Sequence, residues 1–357
     1  MARKLVTIQR IKAIEPIEGS DFIEKIQVLG WQLVAKKGEF KINDLCCYFE
    51  IDSFLPIRPE FEFLRKGYYK KMADGKEGFV LRTAKFRGVI SQGLALPLSV
   101  LTSFLNESHT KNNLGFSFEE GEEITEIIGV VKYEPPIPAC LGGVAKGYLP
   151  GYLTTDETRV QVLQEFIDKY KGELFYFTEK IDGGSSSFYI DEEGNFCVAS
   201  RNLVYEFDET NSMWKFAIKN NIEEKLRSLP YRACLQGEIF GEGIQSNKYK
   251  LIGQDVAFFN VRNLETRQYL SYNDFRFTIE NLGLKTVPIL NDNFVLTNNM
   301  EELIELSKGK SVFNKNTERE GIVLRPVNEQ WDANYDLAHS RVSFKVINPN
   351  FLLKYEE

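Results

Sequence analysis

The chain has 357 residues, of which 43% are hydrophobic and 27% are charged, a composition typical of a folded globular protein with two domains. Its formal net charge is −7, yet residues 1–98 carry 17 Lys/Arg against 12 Asp/Glu, so the acidic excess lies in the remainder. An acidic whole does not exclude a nucleic-acid partner that binds a local basic face. The five cysteines include no C-x-x-C pair, which argues against a disulfide framework or a cysteine-based zinc site.

The cellular location is predicted from the same counts. An odd number of cysteines without pairing motifs fits a reducing compartment, and the two histidines, His109 and His339, exclude a His-rich metal site. The first residues, Met1 to Leu5, lack the apolar run of a signal peptide. No apolar stretch reaches the roughly 20 residues of a membrane span. We expect a cytoplasmic protein without a membrane partner. The sequence does not identify a protein partner.

The N-terminal part of the chain predicts a small β-barrel. Short runs of β-forming residues alternate with turns such as Glu18-Gly19-Ser20 and Lys37-Gly38. The predicted strands are residues 5–14, 23–34, 44–51, 78–81 and 89–98. Five strands at this spacing indicate an OB-type barrel, a common nucleic-acid-binding frame.

An insertion at residues 58–76 interleaves cations with aromatic rings. A surface that follows a nucleic-acid strand needs cations for the phosphates and rings for the bases. We therefore predict that nucleic acid binds to Arg65, Lys66, Lys70 and Lys71, which lie among Phe61, Phe63, Tyr68 and Tyr69. The alternative is a solvated loop whose rings pack underneath it.

The rest of the chain predicts an α+β domain with a mostly antiparallel sheet. An acidic run at 119–126 and the proline-rich 134–138 place the boundary near residue 140, which gives domains 1–140 and 141–357. Helices are predicted at 158–171, with Asp156 as the cap, and at 213–229, 272–282 and 300–307. Strands are predicted at 186–190 and 196–200, which form a hairpin, and at 233–239, 256–261, 321–325 and 342–347.

Lys180 stands in a Lys-x-Asp-Gly motif just after the strand-like run 174–177. A lysine at a strand end can attack the α-phosphate of a nucleotide once its pKa is lowered, because only the neutral amine is nucleophilic. The tetrapeptide also occurs by chance in surface turns, where Asp182 beside Gly183 would simply build the turn. The motifs that follow decide between these interpretations.

Further short motifs occur in order along the predicted strands. They are Ser200-Arg201-Asn202, Gln236-Gly237-Glu238-Ile239, Ala257-Phe258-Phe259-Asn260-Val261, Glu320-Gly321-Ile322-Val323 and Ser343-Phe344-Lys345-Val346. With Lys180 in front, the series resembles motifs I, Ia, III, IIIa, IV and V of the covalent nucleotidyltransferases. This superfamily comprises DNA ligases, RNA ligases and mRNA-capping guanylyltransferases. The shared order argues against coincidence.

The resemblance implies a catalytic role for several charged residues. Lys180 is the nucleophile, Asp182 and Glu320 hold a hydrated Mg²⁺ or Mn²⁺, and Lys345 contacts the α-phosphate of ATP. A metal with oxygen ligands offsets the negative charge that develops on the leaving pyrophosphate. Positive charge from the metal or from Lys345 would also lower the pKa of Lys180. Alternatively, Glu320 could be an ordinary exposed strand residue.

The same resemblance implies a nucleotide pocket. Glu238 accepts hydrogen bonds from the ribose hydroxyls, Arg201 holds a phosphate of the nucleotide or of the substrate 5′ end, and Glu179 lines the pocket. Phe258 or Phe259 stacks on the base; strand alternation lets only one face it, and we favour Phe259. As alternatives, Glu238 could be an exposed strand residue, and Arg201 could pair with a surface carboxylate.

One position departs from the superfamily pattern. The last motif usually reads Lys-x-Lys, and here Ser343 stands in place of the first lysine. Arg341, two residues earlier, could supply the missing charge, while Lys345 keeps the second phosphate contact.

The domain order points to one family within the superfamily. DNA ligases and capping enzymes carry an OB domain after the last motif, whereas here the barrel comes first and the chain ends shortly after Lys345. That order resembles the fifth RNA ligase family, as do the runs 51–56, 91–98 and 343–348. The resemblance implies an ATP-dependent RNA ligase, in RNA repair or processing, that joins a 5′-phosphate to an RNA 3′-hydroxyl at nicks in duplexes. The alternatives are a DNA nick ligase or capping-type guanylyltransferase, and a non-catalytic RNA-binding protein with a decayed transferase domain.

Overall fold

The computed structural model describes residues 3–72, 74–107 and 118–355, so His109 lies outside the described residues. The chain divides into two compact units, one formed by Met1–Pro136 with Leu352–Glu357 and the other by Ile137–Phe351. Within the described ranges, no helix is both long enough and apolar enough to cross a membrane. The five cysteines are free thiols.

The first unit is built from antiparallel strands. They are β1 (Val6–Pro16), β2 (Ile23–Val28), β3 (Trp31–Lys36), β4 (Leu45–Phe49), β5 (Ser53–Pro56), β6 (Tyr69–Lys71), β7 (Glu77–Val80), β8 (Ala84–Phe86), β9 (Val89–Ser91), β10 (Leu94–Pro97) and β11 (Val131–Lys132). The main sheet has the order β10-β4-β1-β2-β3, a second sheet has the order β11-β5-β7-β6, and β8 pairs with β9 as a hairpin.

The main sheet of this unit curls so that its two outer strands approach each other. Gln92, just before β10, donates its backbone N–H to the carbonyl oxygen of Gln32 in β3 at 2.9 Å. The predicted strand 23–34 is two strands, because the chain turns at Leu29, whose φ of 52° is left-handed. The core under the sheet includes Val6, Ile8 and Phe49, each fully buried.

The second unit holds two sheets. Its strands are β12 (Ala145–Tyr148), β13 (Thr158–Arg159), β14 (Leu174–Lys180), β15 (Gly184–Ile190), β16 (Phe196–Ala199), β17 (Leu203–Tyr205), β18 (Ala233–Gly241), β19 (Gln254–Asn263), β20 (Ile289–Val295), β21 (Gly321–Pro326) and β22 (Phe344–Ile347). The six-stranded sheet has the order β12-β17-β16-β15-β18-β19, and the five-stranded sheet has the order β13-β22-β21-β14-β20. All pairs are antiparallel except β13 with β22, which confirms the predicted α+β class with a mainly antiparallel sheet.

The helices are short. They are α1 (Arg65–Tyr68), α2 (Leu101–Glu107), α3 (Thr125–Ile128), α4 (Gln164–Tyr170), α5 (Ser212–Lys219), α6 (Ile222–Arg227), α7 (Tyr272–Asn281), α8 (Met300–Ser307) and α9 (Pro349–Tyr355). Turns of 3-10 helix lie at Pro59–Leu64, Leu98–Val100, Ala139–Leu141, Gly151–Leu153, Val160–Val162, Gln245–Asn247 and Ala338–Ser340.

In the second unit each sheet carries its own helical layer. Helices α5, α6 and α7 pack on the six-stranded sheet around Phe188 and Phe258, and α4 and α8 pack on the five-stranded sheet around Phe175 and Phe344. Side-chain caps start three of these helices: the carboxamide oxygen of Asn211 accepts from backbone N–H groups of α5, as a cap at this position does, and the hydroxyl of Ser271 accepts from a backbone N–H of α7. Asn299 does the same for α8.

Two predicted helices are wrong in part. The first half of 158–171 is β13 and a 3-10 turn, so α4 begins at Gln164 with Leu163 rather than Asp156 at its cap position. The predicted helix 213–229 is two helices, because Asn221 adopts a left-handed φ of 50° that ends the α-helical path.

Candidate active site

Strand pairing brings Lys180 and Glu320 together. Lys180 is the last residue of β14 and lies opposite Gly321, the first residue of β21. The Nζ of Lys180 donates to both carboxylate oxygens of Glu320, at 2.7 Å each. A Cβ at position 321 would lie 2.3 Å from the carbonyl oxygen of Val346, so glycine is required after this glutamate.

Two more carboxylates converge on the same amine. Asp182 follows β14, and Glu238 lies in β18 opposite Ser185. Burial lowers the pKa of Lys180, but the carboxylates of Glu320, Glu238 and Asp182 outweigh burial and raise this pKa above its ordinary value. The structure therefore brings together the predicted nucleophile and the predicted acidic residues, and it keeps the amine protonated.

The charged groups around Lys180 also shift the pKa values of Glu238 and Asp182. Burial first, then repulsion by Glu320 and Asp182, raises the pKa of Glu238 to about 8, although Lys180 opposes the change. Burial and Glu320 raise the pKa of Asp182 to about 6, against the pull of nearby lysines. Such shifts are typical of functional sites in which like charges are crowded together.

Gly183 explains how the motif approaches β18 so closely. A Cβ at this position would lie 2.3 Å from the carbonyl oxygen of Ile239 and 2.9 Å from the Cγ of Glu238. Both distances are shorter than real Cβ contacts, so any larger residue displaces the strand or the Glu238 side chain. The glycine of Lys-x-Asp-Gly is thus a packing requirement of the carboxylate cluster.

Lys248 belongs to the site and was not predicted. Its Nζ donates to the carboxylate of Asp182 at 2.6 Å, and both side chains are only 15% exposed. The hydroxyl of its neighbour Tyr249 accepts from the backbone N–H of Asp182 at 2.7 Å. The loop that carries Lys248 takes left-handed φ values at Gln245, Ser246 and Asn247. Non-glycine residues in this conformation store strain, which is common at functional sites.

Phe258 and Phe259, which stand in the motif that resembles motif IIIa, lie on opposite faces of their sheet. Phe258 is fully buried in the core against Phe188, whereas Phe259 is partly exposed and packs beside Ala257 and Tyr249 on the other face. Arg201, in the turn between β16 and β17, lies close enough to Glu238 to lower its pKa.

Other motif residues have hydrogen-bond and ion-pair partners outside the carboxylate cluster. Glu179 is 1% exposed, and its carboxylate accepts from the backbone N–H of Val312 at 2.8 Å. Lys345 pairs with Asp156 at 3.3 Å. The guanidinium of Arg341 is held by Glu329, so it does not replace the charge missing at Ser343.

The hydroxyl of Ser343 has a different cationic neighbour. It accepts from the Nε of Arg325 in β21 at 3.0 Å, and both residues are buried. The cation next to the substituted motif position therefore comes from the neighbouring strand of the sheet.

The predicted basic surface of the first unit is exposed. Lys66 and Lys70 extend into solvent, Arg65 makes two hydrogen bonds to Glu62, and Lys71 pairs with Glu77 at 3.3 Å. The Arg65 guanidinium also lies over the rings of Tyr69 and Phe79. Some of the predicted phosphate contacts thus already have acidic partners.

The donor set fits a hydrated divalent cation. In the described part of the chain, no three His, Cys, Asp or Glu side chains are arranged to bind a metal directly. Asp182, Glu238 and Glu320 nevertheless crowd negative charge around one lysine, as the raised pKa values of the first two record. Oxygen ligands and retained water are what Mg²⁺ prefers, so these carboxylates suit a metal held largely through its waters.

Comparisons with known proteins give a consistent result. Residues 5–98 match the family model of an OB-fold domain, and residues 173–347 match that of an RNA ligase. Three solved structures of Naegleria gruberi RNA ligase, a mutant with ATP and Mn, a mutant with AMP and Mn, and a form with PPi, are each 36% identical to this chain. The matches cover 99% of both chains, with TM-scores of 0.86, 0.87 and 0.86 respectively. A comparison with curated proteins finds no match.

The chain therefore belongs to the RNA ligase family, with an N-terminal OB-fold domain and a C-terminal ligase domain. This confirms the family and the fold predicted from the order of the motifs. The alternatives of a DNA nick ligase, a capping guanylyltransferase and a non-catalytic RNA-binding protein are not favoured.

Proposed function

We propose that this RNA ligase uses ATP and carries AMP on Lys180 during end joining. One observation carries the proposal: the Nζ of Lys180 lies 2.7 Å from both oxygens of Glu320 and is influenced by Glu238 and Asp182. A surface lysine in a chance tetrapeptide would have no such surroundings. The Naegleria gruberi ligase in complexes with ATP and Mn, AMP and Mn, or PPi supports the same choice of nucleotide and metal.

In the first step the amine of Lys180 attacks the α-phosphorus of ATP. Once the ammonium has lost one proton to solvent, the neutral amine forms the new P–N bond as the P–O bond to pyrophosphate breaks, and the nitrogen then loses a second proton to solvent. When bound, Mg²⁺ or Mn²⁺ would offset the negative charge that develops on the leaving pyrophosphate and would favour the neutral form of the Lys180 amine. Asp182 and Glu320 would hold that metal, Glu238 the ribose hydroxyls, Phe259 the base, and Lys345 the α-phosphate.

The remaining steps return the lysine to its starting state. An oxygen of the RNA 5′-phosphate attacks the phosphorus of lysyl-AMP, so the P–N bond breaks and the Lys180 nitrogen regains two protons from solvent. An RNA 3′-hydroxyl then attacks the activated 5′-phosphate; the phosphodiester forms and AMP leaves. Arg201, beside Glu238, is placed to hold a phosphate in the first or second of these steps.

We further propose nicked duplex with an RNA 3′-hydroxyl strand as the substrate. Domain 1–140 would bind the duplex backbone, with Arg65, Lys66, Lys70 and Lys71 contacting phosphates, and domain 141–357 would catalyse the transfer. The 2′-hydroxyl lets a protein distinguish RNA from DNA at the joint. Free thiols fit the cytoplasmic location predicted from the cysteine count.

Mass spectrometry of the purified protein with ATP and Mn²⁺ tests this proposal. We expect an adduct of AMP mass on the peptide that contains Lys180, with no adduct when GTP replaces ATP. Sealing of nicked duplexes with either RNA or DNA at the 3′-hydroxyl end then tests the substrate. An AMP adduct on a different lysine would refute the assignment of the nucleophile.

The domain roles need a separate test. Deleting residues 1–130 should reduce nick sealing more than formation of lysyl-AMP, because only sealing requires the duplex to be held. Equal loss of both activities would show that the first domain is part of the transferase machinery.

A further inference from the structure

Phe259 occupies an irregular position in its sheet. Gln236 of β18 pairs with Asn260, but the next residue, Gly237, pairs with Phe258, so Phe259 is the extra residue of a β-bulge. A bulge removes a residue from the ladder and redirects its side chain, and bulges are frequent next to active sites. Here Phe258 lies in the core under the helices, while Phe259 packs against the separate cluster that includes Ile181 and Tyr249.

Phe259 has no pairing partner in β18, and Arg325 makes contacts to it instead. It is 3% exposed, and its Nη1 donates to the carbonyl oxygen of Phe259 at 3.1 Å, while its guanidinium lies 5.9 Å from the centre of that ring. Its Nε donates to Ser343 at 3.0 Å, and its Nη2 donates to Glu157 at 2.9 Å. One buried side chain thus ties the bulge of the six-stranded sheet to two points of the five-stranded sheet.

We infer that Arg325 is a positioning residue that fixes the Phe259 bulge and thereby sets how the nucleotide base is held. The inference rests on the proposed function, because it needs Phe259 to stack on the base of ATP. Ser343, Phe259 and Glu157 are each reached by a different nitrogen of the planar guanidinium, an arrangement that a lysine ammonium does not reproduce. Charge alone is therefore insufficient for the role.

Arg341 provides a matched control. It is also buried, it also links the two sheets, and its guanidinium bonds to Glu329 and, at 2.8 Å, to the side chain of Asn260. It makes none of the contacts to Phe259. A variant at this position measures the cost of weakening the link between the sheets without disturbing the bulge residue.

The experiment measures KM for ATP and the maximal rate of lysyl-AMP formation in single-turnover reactions. Arg325→Lys should raise KM about tenfold, as expected when a hydrogen bond to a charged group is lost, and leave the maximal rate within about twofold. Arg341→Lys should leave KM within about twofold. Equal increases in KM for the two variants would overturn the inference, because Arg325 would then act only by joining the sheets.

A double-mutant cycle shows whether Arg325 acts through Phe259. Phe259→Leu removes the stacking ring and should raise KM about tenfold or more. Adding Arg325→Lys to Phe259→Leu should change KM by less than about twofold, since the group being positioned is already gone. Additive effects in the cycle would overturn the inference.

Two further comparisons complete the test. If Arg325→Lys does not fold, Ser343→Ala is the alternative, because it removes only the hydroxyl that accepts from the Nε of Arg325. We expect Ser343→Ala to raise KM for ATP less than Arg325→Lys does and to leave KM unchanged in the Phe259→Leu background. A rise in KM that persists in that background contradicts the inference. AMP labelling of the wild-type protein distinguishes a failure of the proposed function from a failure of the inference about Arg325. Without an AMP adduct on Lys180 the proposed function fails and the inference fails with it, whereas normal labelling with an additive cycle removes the inference alone.

Discussion

Replacing Lys248 with methionine tests a largely buried contact of the site that the sequence did not predict. Two unit charges at 2.6 Å attract by roughly 6 kcal/mol at an effective dielectric constant of about 20, and desolvation of both groups offsets much of this. Removing one partner of a buried pair costs about 3–5 kcal/mol; because both side chains keep 15% of their surface exposed, we expect a loss of about 2–3 kcal/mol in the free energy of unfolding. Urea unfolding measures it.

The same variant changes the chemistry of Asp182 in a direction that pH reveals. Lys248 lowers the pKa of Asp182, which burial and Glu320 have raised to about 6. Without Lys248 that pKa rises further, so a larger fraction of the carboxyl is protonated near neutral pH and its hold on the metal weakens. We expect lysyl-AMP formation to need several-fold more Mn²⁺ at about pH 7 and to recover toward wild type at about pH 8.5.

Lys285→Met is the matched control. Lys285 pairs with Asp255 at 2.7 Å, nearly the same length, but its side chain is 77% exposed. Such surface pairs contribute about 0–1 kcal/mol, so the control should unfold almost like wild type. The reasoning is refuted if the two methionine variants lose the same stability and Lys248→Met shows an unchanged Mn²⁺ requirement at both pH values.

Four other predictions concern the same machinery. Lys180→Ala should abolish the AMP adduct in denaturing gels, because no amine remains to form the P–N bond. Burial raises the pKa of Glu238 to about 8, so the native state binds more protons than the unfolded state. The free energy of unfolding should therefore fall as pH rises from about 4 to 8. Glu238→Gln should flatten this dependence on pH, as measured by calorimetry without metal. Gly183→Ala should cost about 1–3 kcal/mol in urea unfolding and weaken ATP binding, since its Cβ meets Glu238. Lys66→Gln with Lys70→Gln should weaken binding to nicked duplex and reduce its salt dependence, whereas an unchanged salt slope would remove these lysines from the interface.

The acidic and nucleophilic members of the site were predictable because each lies on or beside a strand. Lys180, Glu238 and Glu320 stand in short motifs on predicted strands, and antiparallel pairing then brings strand ends together. Alternation predicted that only one of Phe258 and Phe259 faces the base, and the structure places the two rings on opposite faces. Their proposed contacts with nucleotide stay predictions.

Other members of the site had no signal in the sequence. Lys248 reaches Asp182 from a loop in which three successive non-glycine residues, Gln245, Ser246 and Asn247, take left-handed φ values, a conformation that neither a motif nor a turn pattern indicated. The bulge at Phe259 depends on a register shift between β18 and β19, and register is decided by tertiary packing. Arg341 was nearer to Ser343 in sequence, but Arg325 reaches it across the sheet, since neighbouring strands bring distant residues into contact.

The charges around Lys180 bear on when this lysine becomes reactive. Glu320, Glu238 and Asp182 raise its pKa, which opposes attack on phosphorus because the protonated amine has no free electron pair. Lys345, from which we expected part of the opposing charge, pairs instead with Asp156. A divalent metal bound with the nucleotide would add positive charge beside Lys180 and lower its pKa. If Asp182 and Glu320 hold that metal, as we propose, the same carboxylates keep Lys180 protonated without it, and reactivity of the lysine is coupled to occupancy of the site.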